Sequence, residues 1–150
     1  MELILWRHAD AADGSPDSER ELTAKGIKQA RRMAKWLKPR LPEDTVILAS
    51  PAKRAQQTAR ALTADFRTVD DIGTAATPEV LLAAIGWPKL EGNVVVVGHQ
   101  PTLGETAALL LTGRKEQWGI KKGALIWLAR REHDAITHPH LRAAISPDLL

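Results

Sequence analysis

The sequence predicts an α/β fold: a largely parallel sheet with helices on both faces. Three observations carry that expectation. Leu3-Ile4-Leu5-Trp6 and Val94-Val95-Val96-Val97 are uninterrupted apolar runs, the pattern of strands buried on both sides rather than on one. Segments with helical apolar spacing follow these runs. Ser, Thr, Pro and Gly sit where one kind of segment gives way to the next.

The first strand spans roughly residues 2–7 and stops at Arg7-His8. A polar loop from Ala9 to Leu22 follows, with Asp10, Asp13, Asp17 and Arg20. Connections from strand to helix usually take about 2–6 residues, so a loop this long beside Arg7-His8 points to a functional segment. Thr23 reads as a helix N-cap. Ile27, Ala30, Met33, Ala34 and Leu37 form the apolar face of that helix, and Pro39 and Pro42 close it. Lys25, Lys28, Arg31, Arg32 and Lys35 cover its other face, either as a solvated surface or as a docking surface for an acidic partner.

Residues 45–49 form a second, β-branched strand running into Ser50-Pro51, which reads as N-cap and first helical residue. Arg54 lies one turn inside, with Thr58 four residues on along the same face. A short strand is expected near residues 66–69, and a helix from Thr77-Pro78 to Ile85, closed by Gly86 and Pro88. The valine run is a central parallel strand ending at Gly98-His99, with another helix after it. Two more strands are expected at residues 123–129 and 141–145. His133, His138 and His140 lie between them, in a spacing that matches no metal-ligand pattern.

With 150 residues, 44% hydrophobic and 26% charged, one soluble domain over residues 1–150 is the simplest expectation. There is no cysteine, which excludes disulfides, thiolate metal sites and a cysteine nucleophile, and suits a reducing compartment. No apolar window approaches the roughly 20 residues of a membrane span, so a cytoplasmic protein without membrane contact is expected. The net charge of +3 is spread along the chain and aromatics make up only 4%, unlike a nucleic-acid binder.

Parallel strands deliver their carboxyl ends to one edge of a sheet, where ligands of open α/β sheets bind. That edge would collect Arg7, His8, Arg54 and His99 together with helix N-termini. A tetrahedral dianion is the natural guest of such a pocket. His8 would act as nucleophile, with its other ring nitrogen donating to a backbone carbonyl to fix the tautomer. Arg7, Arg54 and His99 would stabilise the transferring phosphoryl group without a metal. No glycine-rich P-loop is present, which argues against a nucleotide kinase.

Four segments carry a family resemblance: Leu5-Trp6-Arg7-His8-Ala9, Leu22-Thr23-Ala24-Lys25-Gly26, residues 50–59 from Ser50-Pro51 through Arg54 to Thr58-Ala59, and Val97-Gly98-His99-Gln100-Pro101. They resemble the histidine phosphatase superfamily (phosphoglycerate-mutase-like). The short chain and Asp17-Ser18-Glu19-Arg20-Glu21-Leu22-Thr23 look most like the SixA group of phosphohistidine phosphatases. The resemblance implies a three-layer α/β/α architecture with a mainly parallel, mixed sheet. It also implies a covalent phosphohistidine on His8, phosphate contacts from Arg7, Arg54 and His99, and a substrate contact from Arg20 at the pocket rim. No cofactor or metal is implied.

Two departures from the family pattern stand out. Ala9 replaces a usual glycine, a change that matters only if the position needs φ > 0. The acid that protonates the leaving group in larger members has no evident counterpart, with Asp70, Asp71 and Glu79 the available residues. Imidazole, with a conjugate-acid pKa of about 6.5, needs less help in leaving than an alkoxide. The sequence therefore ranks a phosphorylated protein, such as a histidine phosphotransfer protein, above a sugar phosphate as substrate. The competing readings are a small-molecule phosphomonoesterase of the same superfamily, a non-catalytic phosphate-binding module, and a metal phosphoesterase built on His8, Asp10 and His99.

Overall fold

Alternation along the two central apolar strands divides the core. A computed structural model of the chain describes residues 1–131 and 138–150. In β1 (Glu2–Arg7), Leu3 and Leu5 face one side and Ile4 and Trp6 the other; in β4 (Asn93–Gly98), Val94 and Val96 oppose Val95 and Val97 in the same way. Helices α1 (Ala24–Leu37) and α2 (Lys53–Leu62) cover the face with Ile4 and Trp6. Helices α3 (Pro78–Ile85) and α4 (Thr102–Thr112) cover the face with Leu3 and Leu5. The result is the three-layer α/β/α arrangement expected.

The sheet is completed by β2 (Val46–Ala49), β3 (Arg67–Thr68), β5 (Leu125–Ala129) and β6 (His140–Ile145). Its strand order is β3-β2-β4-β1-β5-β6. The pairs β3–β2, β2–β4 and β4–β1 are parallel, whereas β5 pairs antiparallel with β1 and β6 antiparallel with β5. The sheet is therefore mixed, with its parallel part where β1, β2 and β4 end side by side. Trp6 is fully buried and its indole N–H donates to the Gly123 carbonyl at 3.0 Å, so burying it leaves no polar atom orphaned. Truncating such a residue typically costs about 3–5 kcal/mol.

Thr23 caps α1 as expected, its hydroxyl accepting from the Gly26 N–H at 3.0 Å. The buried stripe of α1 differs from the expected one. It runs through Gly26, Ala30, Met33, Ala34 and Leu37, and Ile27 is exposed. The reason lies at Gly26, where a Cβ would come within 2.0 Å of the Asp10 carbonyl oxygen. The first turn of α1 thus presses on the backbone just after His8, and only glycine fits there.

The long loop after β1 is tied down along its length. Ala11 and Leu22 form an antiparallel bridge, and the Ala12 N–H donates to the Glu21 carbonyl at 2.8 Å. Gln29 of α1 accepts from the Asp10 N–H and Gln57 of α2 accepts from the Leu22 N–H, at 2.9 and 2.7 Å. Among the described residues no helix is long and apolar enough to cross a membrane. Of the three histidines near β6, His133 lies outside the described residues, and His138 and His140 are exposed.

Candidate active site

The carboxyl ends of β1, β4 and β2 are stitched together one residue beyond their last pairs. The His8 N–H donates to the Gly98 carbonyl and the Ser50 N–H to the Val97 carbonyl, each at 3.0 Å. The His8 carbonyl in turn accepts from the Gly123 N–H at 3.1 Å. His8, Ser50 and His99 therefore emerge at one edge, and the His8 backbone is held through both its N–H and its carbonyl.

His8 is buried, and its Nδ1 donates to the Ala9 carbonyl at 2.8 Å. A carbonyl can only accept, so the proton of the neutral ring belongs on Nδ1 and the lone pair on Nε2. Burial, reinforced by the nearby Arg54 and Arg7 guanidinium groups, pushes the His8 pKa down to about 4 and outweighs the opposing bond to Ala9. At neutral pH His8 presents an unprotonated Nε2. Ala9 is wholly buried, with its methyl group in a small cluster with Ala11, Leu22 and Ala30. Its N–H donates to the Thr58 hydroxyl at 3.0 Å, and that hydroxyl donates to the Arg54 carbonyl at 2.8 Å.

His99 stands beside His8, with ring centroids 5.1 Å apart. Burial first, then the neighbouring His8 and Arg54, lowers its pKa to about 3. Its Nε2 is hydrogen-bonded with the Ser50 hydroxyl at 2.7 Å. This corrects the reading of Ser50 as a helix N-cap. Helix α2 begins two residues later than expected, after Ala52, which makes no side-chain cap. The Ser50 oxygen accepts from the Ala52 N–H at 3.2 Å but is shared with His99. Its buried position on the strand end serves the imidazole as much as the helix.

The two arginines differ in what holds them. Arg7 donates through Nη1 to the Ile120 carbonyl at 2.8 Å. Arg54 donates through Nη1 to the Asp17 carbonyl at 2.9 Å and through Nη2 to the Asp17 carboxylate at 3.1 Å. In both, Nε is buried without a hydrogen-bond partner among the described residues. A buried unsatisfied donor costs on the order of 1–3 kcal/mol, more when charged, and an anion accepting from it would remove that cost.

Together Arg7, His8, Arg20, Arg54 and His99 line one cavity of about 280 Å³, so the five residues expected to form the phosphate site meet, whereas Asp10 of the competing metal reading lines the neighbouring groove instead. Asp17, Thr74, Gln100 and Lys122 complete the lining and were not singled out as site residues. Arg20 is fixed by Nε donating to the Ala12 carbonyl at 2.9 Å and by an ion pair with Asp17 at 3.1 Å. Hydrogen bonds from Arg20 and Arg54 hold the Asp17 carboxyl below its ordinary range. Asp17 is the cavity's one carboxylate among the described residues, and it is ionised at neutral pH. None of Asp70, Asp71 and Glu79 lines the cavity, and Glu79 is paired with Lys115. Among the described residues no group of three or more His, Asp or Glu is placed to hold a metal ion.

Residues 3–74, which include Arg7, His8 and Arg54, match the family model of the histidine phosphatase superfamily, branch 1. The chain is 32% identical over 122 residues to the phosphohistidine phosphatase SixA of Escherichia coli K12, covering 75% of this chain and 76% of that protein. It is 34% identical over 139 residues to an uncharacterised protein of a Picosynechococcus strain, covering 85% and 84%. The fold superposes on the tungstate complex of the protein histidine phosphatase SixA with a TM-score of 0.84 and 25% identity, covering 99% of both chains. A phosphoserine phosphatase of Entamoeba histolytica shares the fold at a TM-score of 0.72 and 18% identity, over 99% of this chain and 98% of that one. With its fold, its two arginines and its two histidines assembled at one sheet edge, the chain belongs to the histidine phosphatase superfamily and is similar to its SixA members.

Proposed function

We propose that the protein hydrolyses phosphohistidine on a protein substrate, through a phosphohistidine intermediate on His8, without a metal ion. The observation that carries the reading is the bond from His8 Nδ1 to the Ala9 carbonyl, which leaves the lone pair of a neutral ring on Nε2. In the first step that lone pair forms a bond to phosphorus while the phosphorus–nitrogen bond of the substrate breaks. A substrate ring protonated on its other nitrogen departs as neutral imidazole and draws no proton from the enzyme. In the second step water attacks the phosphorus, the bond to Nε2 breaks, and orthophosphate leaves with His8 neutral again.

Arg7 and Arg54 contact the phosphoryl oxygens, with His99 as a neutral neighbour and Arg20 at the rim. The carboxylate in the cavity, Asp17, is held ionised by its two arginines and is a poor acid for an alkoxide leaving group. That favours an imidazole leaving group over a phosphate monoester, and a protein carrying phosphohistidine, such as a histidine phosphotransfer protein, over a sugar phosphate. The 32% identity to a phosphohistidine phosphatase supports the same ranking. A cytoplasmic setting belongs to this proposal.

A substrate panel tests it. A phosphorylated histidine phosphotransfer protein should be hydrolysed much faster than phosphoserine or sugar phosphates at equal concentration, and equally fast in EDTA. The reverse preference would establish a small-molecule phosphatase. Phosphate binding without turnover of any substrate would establish a binding module. His8→Ala should abolish both turnover and covalent trapping of labelled phosphate.

A further inference from the structure

Beside the catalytic cavity lies a larger open groove, of about 770 Å³, that the chemistry does not use. The two share Arg7 and Lys122 as a common wall. One side of the groove is the exposed stripe Lys25, Lys28 and Arg32 of α1, spaced at three and four residues so that all three point the same way. From Lys25 to Arg32 the stripe runs about 10 Å along the helix. Among the described residues the groove also holds two carboxylates, each paired with a lysine: Asp10 with Lys122 at 3.0 Å and Asp148 with Lys121 at 3.9 Å. Lys25, Lys28 and Arg32 form no ion pair among the described residues, and with Arg7, Lys121 and Lys122 they outnumber the carboxylates Asp10 and Asp148, so the groove carries an excess of positive charge.

We propose that this groove docks an acidic surface of the phosphorylated protein substrate while the phosphohistidine enters the adjoining cavity. The proposal rests on the phosphohistidine reading above and adds the face of the enzyme that selects the protein. Exposed cations in high dielectric hold a single small anion weakly. An extended acidic face meets several at once and is steered toward them before contact. Among the described residues no aromatic side chain lines the groove to stack on bases, which favours an acidic protein over a single-stranded nucleic acid.

Three substrates and two variants test it. The substrates are free phosphohistidine, a neutral phosphohistidine peptide, and the same peptide flanked by glutamates. The variants are Lys25→Glu/Lys28→Glu/Arg32→Glu and the milder Lys25→Gln/Lys28→Gln/Arg32→Gln, which keeps a readout if charge reversal impairs folding. The wild type should favour the acidic peptide over the neutral one by about tenfold in kcat/KM at low salt, with the gap closing as salt is added. Both variants should narrow or lose that gap while hydrolysing free phosphohistidine within about twofold of the wild type. A wild type that treats the two peptides alike, or a gap that survives in both variants, would overturn the proposal. Should none of the three substrates turn over, the phosphohistidine reading fails, and binding of labelled polyglutamate decides the groove by itself. Binding about tenfold weaker in the charge-reversed variant supports an acidic ligand there. Equal binding, or displacement by a DNA oligonucleotide at lower concentration than by unlabelled polyglutamate, overturns it.

Discussion

Asp17 holds Arg54 by one edge. Its carboxylate lies 3.1 Å from Nη2 and its backbone carbonyl accepts from Nη1 at 2.9 Å, while Nε of the same guanidinium is buried without a partner among the described residues. The contact links a loop residue to a helix residue across 37 positions of sequence. It orients the arginine, and it also places a negative charge beside any phosphate that Arg54 would receive.

Replacing Asp17 by Asn separates those two effects. The backbone carbonyl and the new amide oxygen keep Arg54 in place, while the charge disappears. Repulsion between two anions several ångströms apart at a solvated rim is on the order of 1 kcal/mol, so inorganic phosphate should inhibit Asp17→Asn about threefold to fivefold more tightly. Unchanged or weaker inhibition would mean that orientation of Arg54 by the carboxylate outweighs its charge. Because the Asp17 pKa is depressed by its arginines, the pair is intact above the ordinary carboxylate value and is lost as pH falls through the depressed one. The difference between Asp17→Asn and the wild type should therefore shrink in acid.

The two buried histidines set an acid limb of their own. His8 and His99 stay neutral in the fold down to about 4 and about 3, whereas in an unfolded chain they take up protons near 6.5. Between those values the unfolded state binds more protons, so stability falls as pH falls. For His8 alone the effect is on the order of 2–3 kcal/mol between pH 7 and pH 4. Urea midpoints across that range should fall, and less steeply in His8→Gln. The kcat/KM of the free enzyme should persist well below pH 6.5 and fail only as Nε2 protonates near 4. An acid limb centred at 6.5 would show that His8 is not in the buried, neutral state described.

Arg54 and Arg60 offer a contrast within one helix. Arg54 is buried in the cavity wall, whereas Arg60 lies on the exposed side of α2, stacked 5.3 Å from the Phe66 ring. Removing a preorganised contact to a developing charge typically costs about 10²–10³ in kcat. Arg54→Ala should lose activity on that scale, while Arg60→Ala should remain within about twofold. Comparable losses in both would remove Arg54 from the phosphate site.

What could be read from the sequence follows from how local each signal is. The ends of β1 and β4 were legible because Leu3–Trp6 and Val94–Val97 run without polar interruption into Arg7-His8 and Gly98-His99. The direction of β5 was not, since an apolar run such as Leu125–Ala129 reads the same in a parallel or an antiparallel pair. Ser50-Pro51 has the local chemistry of a helix start, but its hydroxyl is drawn to His99, a partner 49 residues away. Ile27 fits the helical period yet is exposed, because Gly26 is what the backbone near Asp10 admits. Asp17 lies in the segment that carries the SixA resemblance, yet neither it nor Lys122 has a local signal of a site role, and both reach the cavity only when the loops fold over the strand ends. The acid candidates Asp70, Asp71 and Glu79 came from a sequence interval, and proximity in the chain did not put them in the cavity.

Thr58 shows how the strand end and the helix are joined beneath the chemistry. Its hydroxyl accepts from the Ala9 N–H and donates to the Arg54 carbonyl, so one buried oxygen couples the carbonyl-bearing partner of His8 to the backbone of Arg54. Thr58→Val keeps the shape but leaves the Ala9 N–H buried and unpaired, a loss of about 1–3 kcal/mol in stability. Loosening Ala9 also loosens the carbonyl that fixes the His8 tautomer, so kcat should fall by more than KM changes. Thr58→Ser restores the hydroxyl and should restore kcat, even though it gives up the buried methyl group. Urea denaturation alongside steady-state kinetics on a phosphohistidine substrate separates the two effects. If Thr58→Val loses stability but keeps the wild-type kcat, then His8 is held well enough by the bonds at Gly98 and Gly123 alone.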